Sequence, residues 1–328
     1  MKGLGSFFEM AGINSVSIET KRLDSLSYFL LTIDLEDWFQ VENLRPLVPH
    51  SLWPSCESRV ERNTHLILDS LDRFGCSGNG GRPCSPLKAT FFVLGWVAER
   101  LPGLIRQVQA RGHEVASHGY NHVLGSRCST QELRKDIVES KKILEDILGT
   151  AVHGYRAPGF SINEETLEIL EESGYLYDSS FNSFSGNGRH GKIRIFPNGT
   201  GIASKTLRNL YELPISNLEV WGHTVPAGGG GYFRFMPVRI FEKIVKSVLK
   251  RNNAFVFYIH PWEVDPDQPR LKGVPGFSRL RHYTNLAKTL PRLQFLTSRL
   301  RGSSFVTCSE YLRMMSIESI PSLKRRES

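Results

Sequence analysis

Three carboxylates lie close together in this chain and are the first residues whose types suggest chemistry. Asp34, Glu36 and Asp37 fall within four residues, at the end of an apolar run over residues 28–33. Adjacent carboxylates repel each other, so such a group suggests a bound cation or a shifted pKa. In an extended chain Asp34 and Glu36 point to the same side. The alternative interpretation is a helix cap or a solvated acidic turn.

Two histidines form a second candidate cluster. His118 and His122 stand four residues apart in the segment Ser117-His118-Gly119-Tyr120-Asn121-His122. Neutral imidazole is the commonest metal-binding side chain, and residues at this spacing share a face if the segment is helical. The alternative is a pair of unrelated surface histidines.

Three more polar clusters each follow a short apolar run. They contain Arg156 with Pro158, Asp178 with two serines, and His260 with Trp262. Arg156 could bind a carboxylate through two parallel hydrogen bonds. Each of these residues also has a structural interpretation. Arg156 could form a structural salt bridge, Asp178 could be a helix N-cap, and His260 could be a structural histidine.

The elements that must position these clusters alternate along the chain. The apolar pattern predicts eight strands, at about 28–35, 89–94, 114–117, 152–155, 175–177, 211–215, 255–259 and 305–307. Helical periodicity between them predicts helices at about 57–74, 96–110, 129–149, 161–174 and 237–250. Strands that alternate with helices indicate βαβ units and parallel pairing. In a (β/α) barrel the strand ends converge on one face, so the five clusters are expected to meet there.

Length and composition are those of an ordinary globular protein. The chain has 328 residues, with 40% apolar and 23% charged residues. We find no internal repeat and no linker, which predicts one domain over residues 28–315 with a lead-in at 1–27 and a polar tail at 316–328. The five cysteines are an odd number without paired spacing, which argues against a disulfide framework. Pairing of Cys76 with Cys84 stays open.

Net charge and hydropathy limit the partners. The formal net charge of +8 favours anionic partners. The basic residues are scattered and form no nucleic-acid-binding motif, so no nucleic acid partner is expected. No apolar stretch approaches the ~18 residues of a membrane span, and the N-terminus does not resemble a signal peptide. A cytoplasmic location is therefore predicted.

The five clusters, in this order, resemble those of the NodB-homology family of carbohydrate esterases, the polysaccharide deacetylases. The resemblance covers residues 28–315. The strings EVASHGYNH, RAPGF, YLYDSS and IHPWEVDPDQPR are similar to a subgroup found with bacterial exopolysaccharide biosynthesis loci. The resemblance implies an α/β fold, a distorted (β/α) barrel of about seven parallel strands.

The resemblance also implies a role for each cluster. Asp34 matches the catalytic base, and Arg156 matches the residue that orients it. His118 and His122 match the metal-binding histidines. His260 matches the catalytic acid, and Asp178 matches the acidic residue that orients this acid.

The third metal ligand is less well defined by the resemblance. Many family members have two consecutive aspartates in the first motif, whereas here Asp34 is followed by Leu35. Strand alternation favours Glu36 as the ligand. Asp37 is the alternative, because a turn after Leu35 could swing it inward.

The implied activity is the hydrolytic removal of acetyl groups, N-acetyl in particular, from an acetylated glycan. It makes the protein a hydrolase of carbon–nitrogen bonds other than peptide bonds. One divalent cation is expected, Zn²⁺ by default for two histidines and a carboxylate, with Co²⁺, Ni²⁺ and Mn²⁺ as alternatives. The residues expected to contact the sugar are Trp38, Tyr120, Pro158 and Trp262.

Two other functions remain compatible with the sequence. One is a cyclic-amide hydrolase like allantoinase on the same fold, and the other is a non-catalytic carbohydrate-binding protein. The separate His260, expected as the acid for a sugar leaving group, favours the deacetylase. Association with exopolysaccharide synthesis machinery at the inner face of the membrane is a further hypothesis.

Overall fold

The computed structural model describes residues 27–76, 86–184, 191, 193, 196–197, 201–300 and 302–315. The predicted lead-in and polar tail lie almost wholly outside these residues. So does the question of whether Cys76 and Cys84 pair.

The strands closely follow the apolar runs of the sequence. They are β1 Ser27–Leu35, β2 Thr90–Val93, β3 Glu114–Ser117, β4 Gly154–Tyr155, β5 Tyr177–Asp178, β6 Phe196–Pro197, β7 Ser204–Lys205, β8 Tyr211–Glu212, β9 Asn217–Val220, β10 His223–Pro226, β11 Ala254–Ile259 and β12 Ser303–Phe305.

The principal sheet has the strand order β11-β1-β2-β3-β4-β5-β8-β7-β6, with β12 also paired to β1. All pairs from β11 to β8 are parallel, which gives a run of seven parallel strands. The chain after β8 returns to β11, where Ser216 N donates to Val256 O at 3.3 Å and Tyr258 N donates to Gly228 O at 2.7 Å. These bonds join the two ends of the parallel run, so the predicted distorted barrel of about seven strands is confirmed.

The helices connect these strands. They are α1 Val60–Cys76, α2 Gly95–Arg100, α3 Pro102–Ala110, α4 Thr130–Leu148, α5 Glu164–Glu172, α6 Gly230–Phe235, α7 Val238–Asn252, α8 Gly276–Tyr283, α9 Thr289–Arg299 and α10 Cys308–Met314. None of the helices in the described ranges is long and apolar enough to cross a membrane.

Alternation along β1 divides the core into two clusters. Phe29, Leu31 and Ile33 belong to the cluster that also contains buried residues of the helices. Leu30 belongs to the second cluster, with inward residues of the other strands. Because side chains alternate along a strand, Asp34 lies on the same face of β1 as Leu30, at the carboxyl end of the strand. The period of two therefore places an acid inside the mouth of the barrel.

Two predicted helices differ from the structure. The helix expected at 96–110 is two helices, broken at Leu101, because a residue before proline avoids the helical region. The helix expected at 161–174 begins at Glu164, because its cap is Asn163, whose Oδ1 accepts from Thr166 N. The glycine run at 228–231 packs closely, since a Cβ at Gly229 would meet the Tyr258 hydroxyl at 2.5 Å.

Candidate active site

Asp34 and Glu36 lie at the carboxyl end of β1 and line the same cleft. Both are buried, each with 2% of its surface exposed. Glu36 N donates to Asp34 O at 3.0 Å, so the chain turns just after the strand while both carboxylates stay at the barrel mouth. The sequence-based expectation that they share a side agrees with this placement.

His118 and His122 lie in the loop that follows β3. The segment is not helical, because Gly119 and His122 have φ angles of 73° and 54°, in the left-handed region. Asp136 of α4 holds the loop, and its carboxylate accepts hydrogen bonds from Tyr120 N at 2.7 Å and Asn121 N at 2.8 Å. The two histidines therefore converge through a tight loop, and the helical face considered for them is wrong.

The structure brings Glu36, His118 and His122 into one cluster. Each offers one ligand atom, and these atoms lie within 4.8 Å of one another. The Nε2 atom of His122 is 2.9 Å from Glu36 Oε2. Two imidazoles and a carboxylate are a typical ligand set for Zn²⁺ and related divalent ions.

The protonation states of these groups fit a cation. His118 Nδ1 lies 2.8 Å from the Arg156 carbonyl oxygen, which can only accept, so Nδ1 carries the proton and Nε2 keeps its lone pair. Burial lowers the pKa of His118 to about 4, which keeps the ring neutral. Burial opposes ionisation of Glu36, but its electrostatic interaction and hydrogen bond with His122 outweigh it and lower the pKa of Glu36 to about 2.

Arg156 holds Asp34 from beneath the cleft. Its Nη1 donates to Asp34 Oδ1 at 2.6 Å and to Thr32 Oγ1 at 2.7 Å, while its Nη2 donates to Ser179 Oγ at 2.9 Å. Arg156 is completely buried, and its guanidinium lies 4.1 Å from the centre of the Phe92 ring. The arginine is fixed on several sides and therefore fixes the orientation of the carboxylate.

His260, the residue after β11, faces Asp34 and Glu36. Its Nε2 is 3.8 Å from Asp34 Oδ2 and 3.5 Å from Glu36 Oε1. Its Nδ1 is 2.7 Å from Glu263 Oε1, and Glu263 Oε2 accepts from Arg234 Nε at 2.7 Å. Burial alone would lower the pKa of His260, but the hydrogen bond to Glu263 and the nearby carboxylates outweigh it, so the pKa is raised.

The structure places Asp178 away from the residue that it was expected to orient. Asp178 does not contact His260. Its Oδ1 accepts from Ser180 Oγ at 2.5 Å. Burial raises the pKa of both Asp178 and the neighbouring Glu212. The carboxylate that orients His260 is Glu263.

Asp37, the alternative to Glu36 as third metal ligand, lies outside the metal cluster. Its carboxylate points away from the metal cluster and accepts from four groups, Trp38 N, Ser58 Oγ, Arg59 N and Val60 N. It caps the short helix at 38–40 and the start of α1. The helix-cap interpretation is therefore correct for Asp37, and Glu36 is the carboxylate that joins the histidines.

Of the four residues expected to contact sugar, one lines the cleft. Trp262 stacks on His260, with ring centroids 5.0 Å apart, and its Nε1 donates to Glu36 Oε1 at 3.2 Å. Trp38 lies outside the cleft lining and is buried against Phe39. Two others also lie outside the cleft lining. They are Tyr120, which donates to Glu99, and Pro158, although its neighbours Gly159 and Phe160 do line the cleft.

Sequence reasoning missed Glu263 and Arg234. A signal for Glu263 was present, because His260 and Glu263 have the three-residue spacing of a capping box. In the structure the Glu263 side chain does accept from His260 N, at 3.2 Å. No comparable signal existed for Arg234, which reaches Glu263 from α6.

Comparison with known proteins agrees with this geometry. Residues 85–177 match the family model described as polysaccharide deacetylase, and residues 179–313 match a domain of unknown function, DUF3473. A crystal structure from Mycobacterium smegmatis, described as a proposed polysaccharide deacetylase, superposes with a TM-score of 0.55 at 21% identity. The superposition covers 92% of this chain and 94% of that one.

Two curated relatives are peptidoglycan-N-acetylglucosamine deacetylases. One, from Bacillus cereus, is 36% identical over 88 residues, 27% of this chain and 41% of the relative. The other, PgdA of Listeria monocytogenes, is 35% identical over 104 residues, 32% of this chain and 20% of the relative. The matched part thus spans less than half of either relative. Residues 85–177 of this chain are thus similar to the polysaccharide deacetylase (NodB/CE4) family.

The two family matches do not correspond to separate folding units. The boundary between them falls at Asp178 in β5, which pairs with β4 on one side and with β8 on the other. The DUF3473 segment supplies β8, β11 and His260. One continuous sheet therefore carries the metal-binding cluster and the histidine that faces it.

Proposed function

We propose that the protein is a metal-dependent deacetylase that removes N-acetyl groups from a polysaccharide or oligosaccharide. The observation that carries the proposal is the convergence of three units in one cleft. These units are the cluster of Glu36, His118 and His122, the Asp34–Arg156 pair, and the His260–Glu263 pair. The names of the curated relatives support an N-acetylated amino sugar as the substrate.

Glu36, His118 and His122 would hold the cation. Zn²⁺ is the first candidate, with Co²⁺, Ni²⁺ and Mn²⁺ as alternatives. The chemistry that such a cation supplies is Lewis acidity, which lowers the pKa of water and polarises a carbonyl. The hydrogen bond from His118 Nδ1 to the backbone presents the other ring nitrogen to the cluster.

Asp34 is the general base in this proposal. Its Oδ1 is held by Arg156 at 2.6 Å, so its Oδ2 is left to take a proton from the attacking water. Because Asp34 is buried and the arginine is fixed by Thr32 and Ser179, the carboxylate keeps one orientation through the reaction. A base held in this way avoids the entropic cost of positioning it at each turnover.

His260 is the general acid. The Glu263 carboxylate accepts from Nδ1, so Nδ1 keeps its proton and Nε2 is directed at the acids of the cleft. The charge of Arg234 and the hydrogen bond from His260 outweigh burial and lower the pKa of Glu263 to about 2. The ionised Glu263 favours protonated His260, which then gives the Nε2 proton to the leaving amine.

The test is a substrate panel. Metal-loaded protein is assayed for acetate release from N-acetylated and O-acetylated oligosaccharides and for ring opening of cyclic amides such as allantoin. We expect acetate from the N-acetylated sugars, loss of activity on chelation, and recovery with Zn²⁺. Ring opening without acetate would replace the proposal with a cyclic-amide hydrolase. Sugar binding without turnover would replace it with a carbohydrate-binding protein.

The biological setting is a finer part of the same proposal. The similarity of the motifs to a subgroup from exopolysaccharide loci supports a role in exopolysaccharide biosynthesis. The accompanying expectation is a cytoplasmic enzyme, peripheral to the inner membrane and associated with the synthesis machinery. Fractionation of cells that express the protein, with the glycan product analysed for free amines, tests both statements.

A further inference from the structure

The charged groups that line the cleft form a nearly complete set of pairs. Each of the following carboxylates has an arginine or the metal cluster as its partner: Asp34 with Arg156, Glu263 with Arg234, Glu42 with Arg127, and Glu36 with His118 and His122. Such pairing is expected where charges are buried, because an unpaired charge is costly to desolvate.

Arg281 is the exception in this cleft. It lines the cleft together with the catalytic groups and is half-buried. No carboxylate among the residues that the structure describes lies within ion-pair distance of its guanidinium. Its guanidinium carbon lies 5.8 Å from the centre of the Tyr232 ring. The cation therefore faces the cleft with its hydrogen-bond donors available.

The position of Arg281 is nevertheless fixed. Its backbone carbonyl accepts from Arg234 Nη2 at 3.0 Å. This bond connects the end of α8 to the Arg234–Glu263 ion pair. A Cβ built on Gly231 would lie 3.3 Å from Arg281 Nε, so glycine at this position leaves room for the side chain. A cation that is held at a cleft wall without a protein anion is suited to binding an anion on a ligand.

The outer surface of α8 shows that this helix forms the rim of the cleft. Phe277 and Leu280 are 77% and 54% exposed, so one side of the helix faces solvent. Arg281 is directed into the cleft from the same helix. A glycan that enters over this rim would reach the guanidinium before its acetyl group reaches the metal cluster.

We propose that Arg281 binds a carboxylate on the glycan, and that the substrate is an acidic polysaccharide with a sugar acid close to the acetylated residue. This inference rests on the proposed deacetylase function. It also agrees with the formal net charge of +8, which favours anionic partners over neutral ones.

The test compares matched substrates on the metal-loaded protein. Acetylated oligosaccharides that carry a uronate are assayed beside the same compounds with the carboxyl group reduced to an alcohol. The wild type should prefer the acidic member of a pair by about tenfold in kcat/KM, mostly through KM, as a charge-assisted hydrogen bond provides. Arg281→Gln should remove this preference by raising KM for the acidic compound to that for the neutral one.

Two further variants serve as controls. Arg279→Gln removes the same charge from α8, but Arg279 is exposed and does not line the cleft, so the preference should persist. Arg281→Lys keeps the charge and should retain part of the preference. Because only the backbone of Arg281 bonds to Arg234, neither substitution at Arg281 removes that contact.

The outcomes separate the inference from the function on which it rests. A wild type that deacetylates neutral and acidic members equally, or prefers the neutral ones, overturns the role of Arg281 and leaves the deacetylase intact. So does an Arg281→Gln variant that keeps the preference. A wild type that releases no acetate from any member overturns the deacetylase, and the inference with it.

Discussion

Glu263 Oε1 accepts a hydrogen bond from Nδ1 of His260, three residues earlier in the chain, over 2.7 Å. The same carboxylate receives Arg234 Nε on its other oxygen. The histidine and its carboxylate thus lie in one short turn at 260–264, directly after β11. Orientation of the proposed acid is therefore local in sequence, and it does not depend on Asp178 in β5, a strand that does not pair with β11.

The Glu263–His260 bond makes a prediction about pH dependence. His260 must be protonated to act as an acid, so activity should fall as pH rises through its pKa. Glu263 raises that pKa, and Glu263→Gln should therefore move the alkaline limb of the kcat profile to lower pH. A bound cation would lower the pKa in both proteins, so the difference between the two profiles is the quantity to measure.

Asp178→Asn is the matched control for this experiment. Asp178 bonds Ser180 and does not contact His260, so the alkaline limb should stay where it is in the wild type. A shift of the limb in Asp178→Asn, with none in Glu263→Gln, would restore the role that the family resemblance assigned to Asp178.

The adjacent carboxylates Glu36 and Asp37 should respond differently to substitution. Glu36→Gln should abolish Zn²⁺ binding and leave the unfolding free energy of the metal-free protein nearly unchanged. Asp37→Asn should keep the metal but destabilise the fold by about 1–2 kcal/mol, because an amide cannot accept all the bonds of the native cap. Equilibrium dialysis and urea unfolding measure the two effects. Loss of metal in Asp37→Asn alone would reverse the assignment.

Much of the fold was predictable because apolar runs mark the buried strands strongly. β1 and β11 lie almost where the runs at 28–35 and 255–259 place them. The hairpin of β9 and β10 was not predicted. Most of its residues are only partly buried, so they carry no apolar alternation from which strands could be recognised.

The site was predictable where strand parity alone decides direction. Asp34 follows from the alternation of β1, and Glu36 keeps the predicted side although the chain turns after the strand. Asp37 did not, because its direction depends on the turn after Leu35, which the sequence leaves open. The histidine loop depends on left-handed residues, and His122 adopts such a conformation although it is not glycine. Loop geometry of this kind arises from tertiary contacts such as that of Asp136, which lies in a different element.

Asp34→Asn should separate catalysis from metal binding. The amide keeps the shape of the side chain and a hydrogen bond from Arg156, but it cannot accept a proton. We expect full occupancy of the metal site and a loss of about 10²–10⁴-fold in kcat. Metal analysis together with acetate release measures both. If the metal is lost as well, Asp34 belongs to the ligand set and the proposed division between base and ligand is wrong.

The last prediction concerns acid stability at the opposite end of the barrel. His113 is 4% exposed, and neither ring nitrogen has a hydrogen-bond partner. Burial lowers its pKa from 6.5 to about 4, so the unfolded chain binds a proton more readily than the folded one. Stability should therefore be intact above pH 6.5 and should fall as the pH drops from 6.5 towards 4.

Replacement of His113 should remove this loss. Between pH 7 and pH 5 the preferential protonation of His113 in the unfolded chain lowers the unfolding free energy by about 1–2 kcal/mol. In His113→Phe, whose ring can pack on Phe91, the unfolding free energy should fall by that much less over the same pH range. Urea unfolding at both pH values measures it, and His223→Phe on the exposed hairpin is the control. An equal decline in wild type and His113→Phe would mean that His113 is already protonated in the folded protein, with an anionic partner supplied by solvent or by a ligand in the adjoining cavity.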